Sequence, residues 1–165
     1  MSRTIDEATA GDILAIADLN VAAYREFAKR LGAPAWEAMQ KNLRGVARLT
    51  GWAQFLVVRT PRGLAGSVGY CPPGKSDAAV FEPEWASIVL LAVSPRQRRR
   101  GIARALVREC IRRARADHAP AVGLFTSEIM TGAGELYRSL GFREDRELPP
   151  RYGVRYRRLR LELAA

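Results

Sequence analysis

The chain has 165 residues, 48% of them hydrophobic and 27% charged, the balance of one ordinary globular domain that buries a core without metals or disulfides. No apolar run approaches the roughly 20 residues of a membrane span, and Met1-Ser2-Arg3-Thr4 leads straight into structured sequence rather than a signal peptide, so a cytoplasmic protein with no membrane partner is expected. A net charge of +10, almost all from arginine, attracts nucleic acid, anionic lipid or a phosphorylated cofactor alike, so the location of the charge matters more than its size.

Residues 4–8 read as a first strand and residues 10–31 as a helix, with Ile13, Ile16, Ala17, Leu19, Ala23 and Tyr24 recurring at helical spacing. Gly32 ends it where helices favour positive φ. Pro34 opens a second helix through residue 48, and Gly51 closes that segment. Residues 52–60 and 64–70 read as a hairpin around Pro61-Arg62-Gly63. Residues 75–83 read as a mobile loop. Residues 87–93 form a short, apolar, β-branched stretch that ends at Ser94-Pro95, the pattern of a buried strand. Arg96-Gln97-Arg98-Arg99-Arg100-Gly101-Ile102-Ala103 then opens a long helix, with Ile102, Leu106, Val107, Cys110, Ile111 and Ala114 on one face and Arg104, Arg108, Arg112 and Arg115 on the other. A strand over residues 121–126, a helix over 131–140 closed by Gly141, and strands over 142–146 and 154–163 complete the chain. Helices alternating with strands and flanked by hairpins predict a mixed α/β sheet in the order β-α-α-β-β-β-α-β-α-β-β, within a single domain over residues 1–165.

The arginine cluster coincides with small residues at a helix start. Free N–H groups there, ringed by guanidinium groups and left uncovered by Gly101 and Ala103, make a pocket for a polyanion such as a pyrophosphate. Two alternatives stand beside this reading. One is a basic nucleic-acid-binding face. The other is a P-loop, since Gly69-Tyr70-Cys71-Pro72-Pro73-Gly74-Lys75-Ser76 satisfies the G-x-x-x-x-G-K-S pattern letter for letter. Pro72 and Pro73 remove two amide donors from that loop, and no amphipathic helix follows it, so a surface hairpin exit is expected instead.

Arg98-x-x-Gly101-x-Ala103 resembles the (Q/R)-x-x-G-x-(G/A) signature of the Gcn5-related N-acetyltransferases (GNAT), and it follows a hydrophobic strand as it does in that family. Ala133-Gly134-Glu135-Leu136-Tyr137-Arg138-Ser139-Leu140-Gly141-Phe142 is similar to the family's A-x-x-L-Y-x-x-L-G-F helix end, and residues 5–12 resemble its first strand and helix. The resemblance implies a GNAT-like acyl-CoA N-acyltransferase fold. It also implies transfer of an acetyl group from acetyl-CoA to a primary amine by direct attack through a tetrahedral intermediate, with no metal. The pantetheine arm is then expected along the backbone of Leu91, Ala92 and Val93. The pyrophosphate is expected on the turn from Arg98 through Arg99, Arg100, Gly101, Ile102, Ala103 and Arg104. Tyr137 is expected beside the coenzyme sulfur, able to protonate the departing thiolate. On residue type alone, the same tyrosine reads as a packed amphipathic side chain.

Two departures from the family pattern stand out. Where histone-type members place a basic glutamate, this chain has Ser87, which leaves Glu84 and Glu82 just upstream to act through water. Met130 stands where many members carry an asparagine. His118, the only histidine, reads as a surface residue, and Cys71 and Cys110 read as unbridged. The amine acceptor, a small molecule or a protein amine, is left open, as is a homodimer. Residues 32–48, 70–85 and 145–156 are the segments that decide the acceptor.

Overall fold

The computed structural model describes residues 3–164. Met1 and Ser2, on which the expectation of a leaderless start partly rests, lie outside the described residues, as does Ala165. No helix among the described residues is long and apolar enough to cross a membrane.

Strands β1 (Ile5–Glu7), β2 (Gln54–Thr60), β3 (Gly63–Cys71), β4 (Ala86–Val93), β5 (Ala121–Ser127), β6 (Arg143–Arg151) and β7 (Val154–Glu162) form one sheet in the order β1-β2-β3-β4-β5-β7-β6. Every pairing is antiparallel except β4–β5. The long helix α5 (Ile102–Ala116) buries Ile102, Leu106, Val107, Cys110, Ile111 and Ala114 on one face of the sheet. There it packs with Val68, Ile88, Val122 and Leu159, and Tyr137 of α6 (Thr131–Ser139) joins the same cluster. The predicted apolar face of the helix is the one that packs.

The opposite face is covered by the N-terminal helices. The stretch expected as one helix over residues 10–31 is divided into a short 3-10 turn, α1 (Ile13–Tyr24), a second 3-10 turn and α2 (Ala28–Leu31). The second helix is likewise interrupted at Gly45, giving α3 (Ala33–Arg44) and α4 (Val46–Leu49). Gly32 between them has φ of 85°, as its position at a helix end predicts. Asp12 fixes the entry to α1. Its carboxylate accepts the Thr9 amide at 2.8 Å and both Arg59 guanidinium nitrogens at 2.7 Å. The buried Asn20 amide donates to Leu43 O at 2.9 Å, locking α1 to α3.

Two expectations are corrected. Residues 143–151 form a long strand, although every residue of it but Leu148 is exposed. Lacking a buried face, it carries no alternation to read, and it is held by backbone pairing to β7. The segment before β4, expected to be mobile, is pinned. Phe81 and Trp85 are buried against β5, where a Cβ on Gly123 would come within 2.5 Å of the Phe81 ring. Only glycine admits that approach. Above them the buried Arg158 guanidinium donates to both Asp145 oxygens at 2.8 and 2.7 Å and to Val80 O at 2.8 Å, meets Glu82 at 3.1 Å and lies 4.6 Å from the Trp85 ring centroid.

Removing Arg158 leaves Asp145, whose carboxylate side chain is only 13% exposed although its backbone is open, without its partner. Arg158→Ala is expected to cost about 3 kcal/mol of stability in urea denaturation. Hydrogen bonding from Arg158 holds the Asp145 carboxyl below its ordinary range. The pair therefore stabilises the fold above about pH 4, and that contribution is lost as pH falls below it. The gap between wild type and variant should close on acidification.

Candidate active site

The site begins with a discontinuity in the sheet. Strands β4 and β5 pair only at Ala86↔Val122 and Ser87↔Gly123, and beyond Ser87 they part. Against β3, the register moves from Ser67↔Ala92 to Gly69↔Val89, so β4 carries one extra residue. The bulge places Leu90 at φ of 52°, a left-handed conformation that a leucine adopts only under constraint. Val89, Leu90, Leu91 and Val93 are only half-buried in the middle of a seven-stranded sheet. The gap thus exposes both apolar side chains and an unpaired strand edge.

At the C-terminal end of β4 the chain passes through a 3-10 turn into residues 98–101 and then α5. The helix starts at Ile102, later than the sequence pattern suggests, and Gly101 is its N-cap at φ of 78°, with no side-chain cap. Arg99 is also left-handed, at φ of 62°. Among the described residues no amide from Arg98 to Gly101 donates to another backbone group. Uncapped helix amides following a turn with alternating handedness form a concave anion site.

The arginines of the cluster divide by role. Arg98 turns away from the amides, donating to Ala23 O at 2.7 Å and Glu26 at 2.9 Å, and so ties the turn to the end of α1. Arg104 donates to Ser139 Oγ at 3.0 Å, tying α5 to α6. Arg96, Arg99 and Arg100 remain exposed.

Tyr137 is buried on α6, with its ring edge-on to Phe142 at 5.7 Å. Burial, with Tyr24 as a neighbour, raises its phenol far above the ordinary value. Tyr24 itself reads in the sequence as part of the apolar face of α1. Its hydroxyl instead donates to Leu91 O at 2.9 Å across the gap, and burial pushes its pKa up to about 12. No sequence signal separates this tyrosine from a core residue. The structure therefore gathers Leu91, Ala92, Val93, the turn 98–104 and Tyr137 around one gap, and adds Tyr24.

Glu84 and Ser87 are not brought to it. Glu84 is exposed in the turn ahead of β4, six positions before Leu90. Ser87 is buried where β4 and β5 are still paired, its Oγ 2.8 Å from that of Ser76. Glu82 is engaged with Arg158.

The P-loop-like segment is built as a turn. The Gly74 amide donates to Pro83 O, the Lys75 amide to Pro72 O and the Ser76 hydroxyl to Trp85 O, and no helix follows. Lys75 sits over the Trp52 ring. A cavity of about 710 Å³ opens beside it, reaching Asp117 at the far end of α5, about 22 Å from Gly101 by helix length. Cys71 and Cys110 are buried and unbridged, and His118 is exposed. Among the described residues no cluster of His, Cys, Asp or Glu could hold a metal ion.

Solved structures share this architecture over nearly the whole chain. The PaiA N-acetyltransferase of Thermoplasma acidophilum, in complex with coenzyme A, superposes with a TM-score of 0.76 at 13% identity, covering 99% of this chain and 100% of that one. A GNAT-family acetyltransferase of Staphylococcus aureus gives 0.74 at 17% identity with the same coverage. A Brucella melitensis GNAT-family acetyltransferase in complex with acetyl-CoA gives 0.66 at 20% identity, covering 99% and 90%. No curated protein matches this chain in sequence. The family model for the acetyltransferase (GNAT) family matches residues 13–142, a span that contains the bulged strand, the uncapped turn and Tyr137, and the chain belongs to that family.

Proposed function

We propose that the protein moves an acetyl group from acetyl-CoA to a primary amine by direct attack of the amine on the thioester carbon. The observation that carries this reading is the continuity of the open edge of β4 with the uncapped amides of residues 98–101. A ligand with an extended amide arm and a pyrophosphate fits that shape, and two of the relatives hold coenzyme A or acetyl-CoA. The backbone of Ala92 and Val93 pairs with the pantetheine arm, while the Leu91 carbonyl stays with Tyr24. The amides of Arg99 to Ala103 hold the pyrophosphate, and Arg99 and Arg100 supply mobile positive charge. A nucleic-acid stripe fits less well, because Arg98 and Arg104 are spent on contacts within the protein.

Backbone amides of the bulge stabilise the oxyanion formed at the thioester carbon. The departing thiolate meets Tyr137. A phenol raised above its usual value of about 10 gives up its proton at a cost to a thiolate of pKa about 8.5, so Tyr137 acts as a hydrogen-bond donor to the thiolate rather than a full proton source. The amine itself must be neutral to attack. Ser87 lies where β4 and β5 are still paired and Glu84 in the turn before β4, so any part they take runs through water.

In calorimetry CoA should bind, and at about 100 times its Kd it should add about 2.7 kcal/mol of stability. Binding of ATP with Mg²⁺ and none of CoA would return the site to the segment around Lys75.

Gly101→Val should abolish CoA binding. A Cβ at Gly101 meets nothing within 4 Å, so the variant is expected to fold. The left-handed φ adds about 1–2 kcal/mol of strain, and the isopropyl group covers the amides. Unchanged CoA affinity in folded Gly101→Val would remove the pyrophosphate assignment.

Tyr137→Phe should lower turnover about 10-fold to 100-fold, the worth of a hydrogen bond to a charged group, with CoA affinity little changed. Wild-type turnover in a chemistry-limited assay would make Tyr137 a packing residue only.

A further inference from the structure

Resting on that acetyl-transfer reading, we propose that the acceptor is an amine that also carries a carboxylate, and that Arg151 is the residue that binds it. Arg151 is the last residue of β6, immediately before the turn made by Tyr152 at φ of 55° and Gly153 at φ of 73°. Three rings hold its guanidinium. The carbon lies 5.6 Å from the Phe125 centroid, 5.7 Å from Tyr152 and 6.0 Å from Tyr156. The rings brace one another edge to face, Phe125 to Tyr156 at 6.1 Å and Tyr152 to Tyr156 at 6.4 Å.

Aromatic rings contact a guanidinium without using its five in-plane N–H donors, so its edge stays free for a bidentate anion. Among the described residues that edge has no hydrogen-bond partner and no carboxylate at ion-pair distance. Among the described residues Arg143 of the same hairpin also lacks such a partner, but no ring lies against it, whereas Arg146, Arg155, Arg157, Arg158 and Arg160 are all bound to protein oxygens. Arg151 is thus positioned by aromatic contacts, with its donor edge open to solvent and to a ligand.

Its surroundings place it at the gap. Tyr152 packs with Tyr24, the bulge residue Leu90 and Met130 around one cluster of Val21, Trp36, Met39 and Leu43, on the face of the sheet opposite α5. The Asn42 side chain donates to the Tyr152 hydroxyl, fastening the hairpin tip to α3. An acceptor that reaches the bulge from this face, opposite the amides of the 98–101 turn, passes the Arg151 edge. Glu147 near the tip is paired with Arg155 rather than with Arg151.

The test is acetyl-CoA turnover by the full chain, read as thiol release, with L-amino acids, their carboxamides and diamines such as putrescine. Calorimetry of CoA binding runs on the same preparations. Carboxylated amines should exceed their amides by about 10-fold to 100-fold in kcat/KM, the range for a charge-assisted hydrogen bond. Arg151→Gln should remove that preference through KM on carboxylated acceptors alone, with CoA affinity kept. Arg151→Lys, which retains charge without the fork, should restore part of it. A wild-type protein that does not bind CoA would overturn the acetyl-transfer reading and this one with it. CoA binding alongside any of three results would overturn this proposal alone: amides or diamines equal to or better than amino acids, no carboxylated amine acetylated, or an Arg151→Gln loss shared equally by all acceptors.

Discussion

Everything distinctive in this molecule depends on the failure of β4 and β5 to stay paired. Parallel strands in the middle of a sheet ordinarily satisfy each other's backbone groups along their whole length, and leaving such groups open inside a protein costs free energy. Here pairing stops after Ser87↔Gly123, while each strand remains paired on its other side, β4 with β3 and β5 with β7. Each strand is therefore held in the sheet by its other partner even where this edge has no hydrogen bonds of its own. The extra residue at Leu90 interrupts the regular register of β4 beside that open edge.

Three side chains brace the gap, and each spans two elements that would otherwise move separately. Tyr24 joins α1 to the bulge through Leu91 O, Arg98 joins the 98–101 turn to the last turn of α1 through Ala23 O, and Arg104 joins α5 to α6 through Ser139. Tyr24 and Ala23 are consecutive, so one turn of α1 positions both the centre of the gap and the turn at its end. That turn is in turn fixed at the far end of α1 by the Asp12–Arg59 pair and midway by Asn20. The site is held from α1 as much as from the strand that carries it.

What the sequence discloses follows from where periodicity survives. The strand at residues 87–93 and the helix from Ile102 are legible because one is apolar throughout and the other has a sharp apolar face, and the motif around Gly101 marks where they meet. Strand β6 is not legible as a long element because its exposed residues and Pro149-Pro150 look like a loop, and only pairing to β7 makes it a strand. The bulge at Leu90 is hidden because leucine carries no local signal for a left-handed φ. Arg98 and Tyr24 show the same limit in the site. Composition gives their chemistry, while the partner each chooses lies 75 and 67 residues away in the chain.

The arginine cluster shows why charge density is a poor guide to which residue binds. A guanidinium can serve the fold or a ligand, and in this turn the geometry has divided them. Arg98 and Arg104 are consumed by the protein, so the proposed anion site rests on backbone amides whose direction is set by two left-handed residues, Arg99 and Gly101. Amides fixed in this way act at contact distance and are little screened by salt, whereas exposed side chains such as Arg96 and Arg100 act through a field that fades within about 10 Å at 0.1 M ionic strength. On the proposed acetyl-CoA reading, the amides decide whether a pyrophosphate fits, and the free arginines govern how fast it arrives.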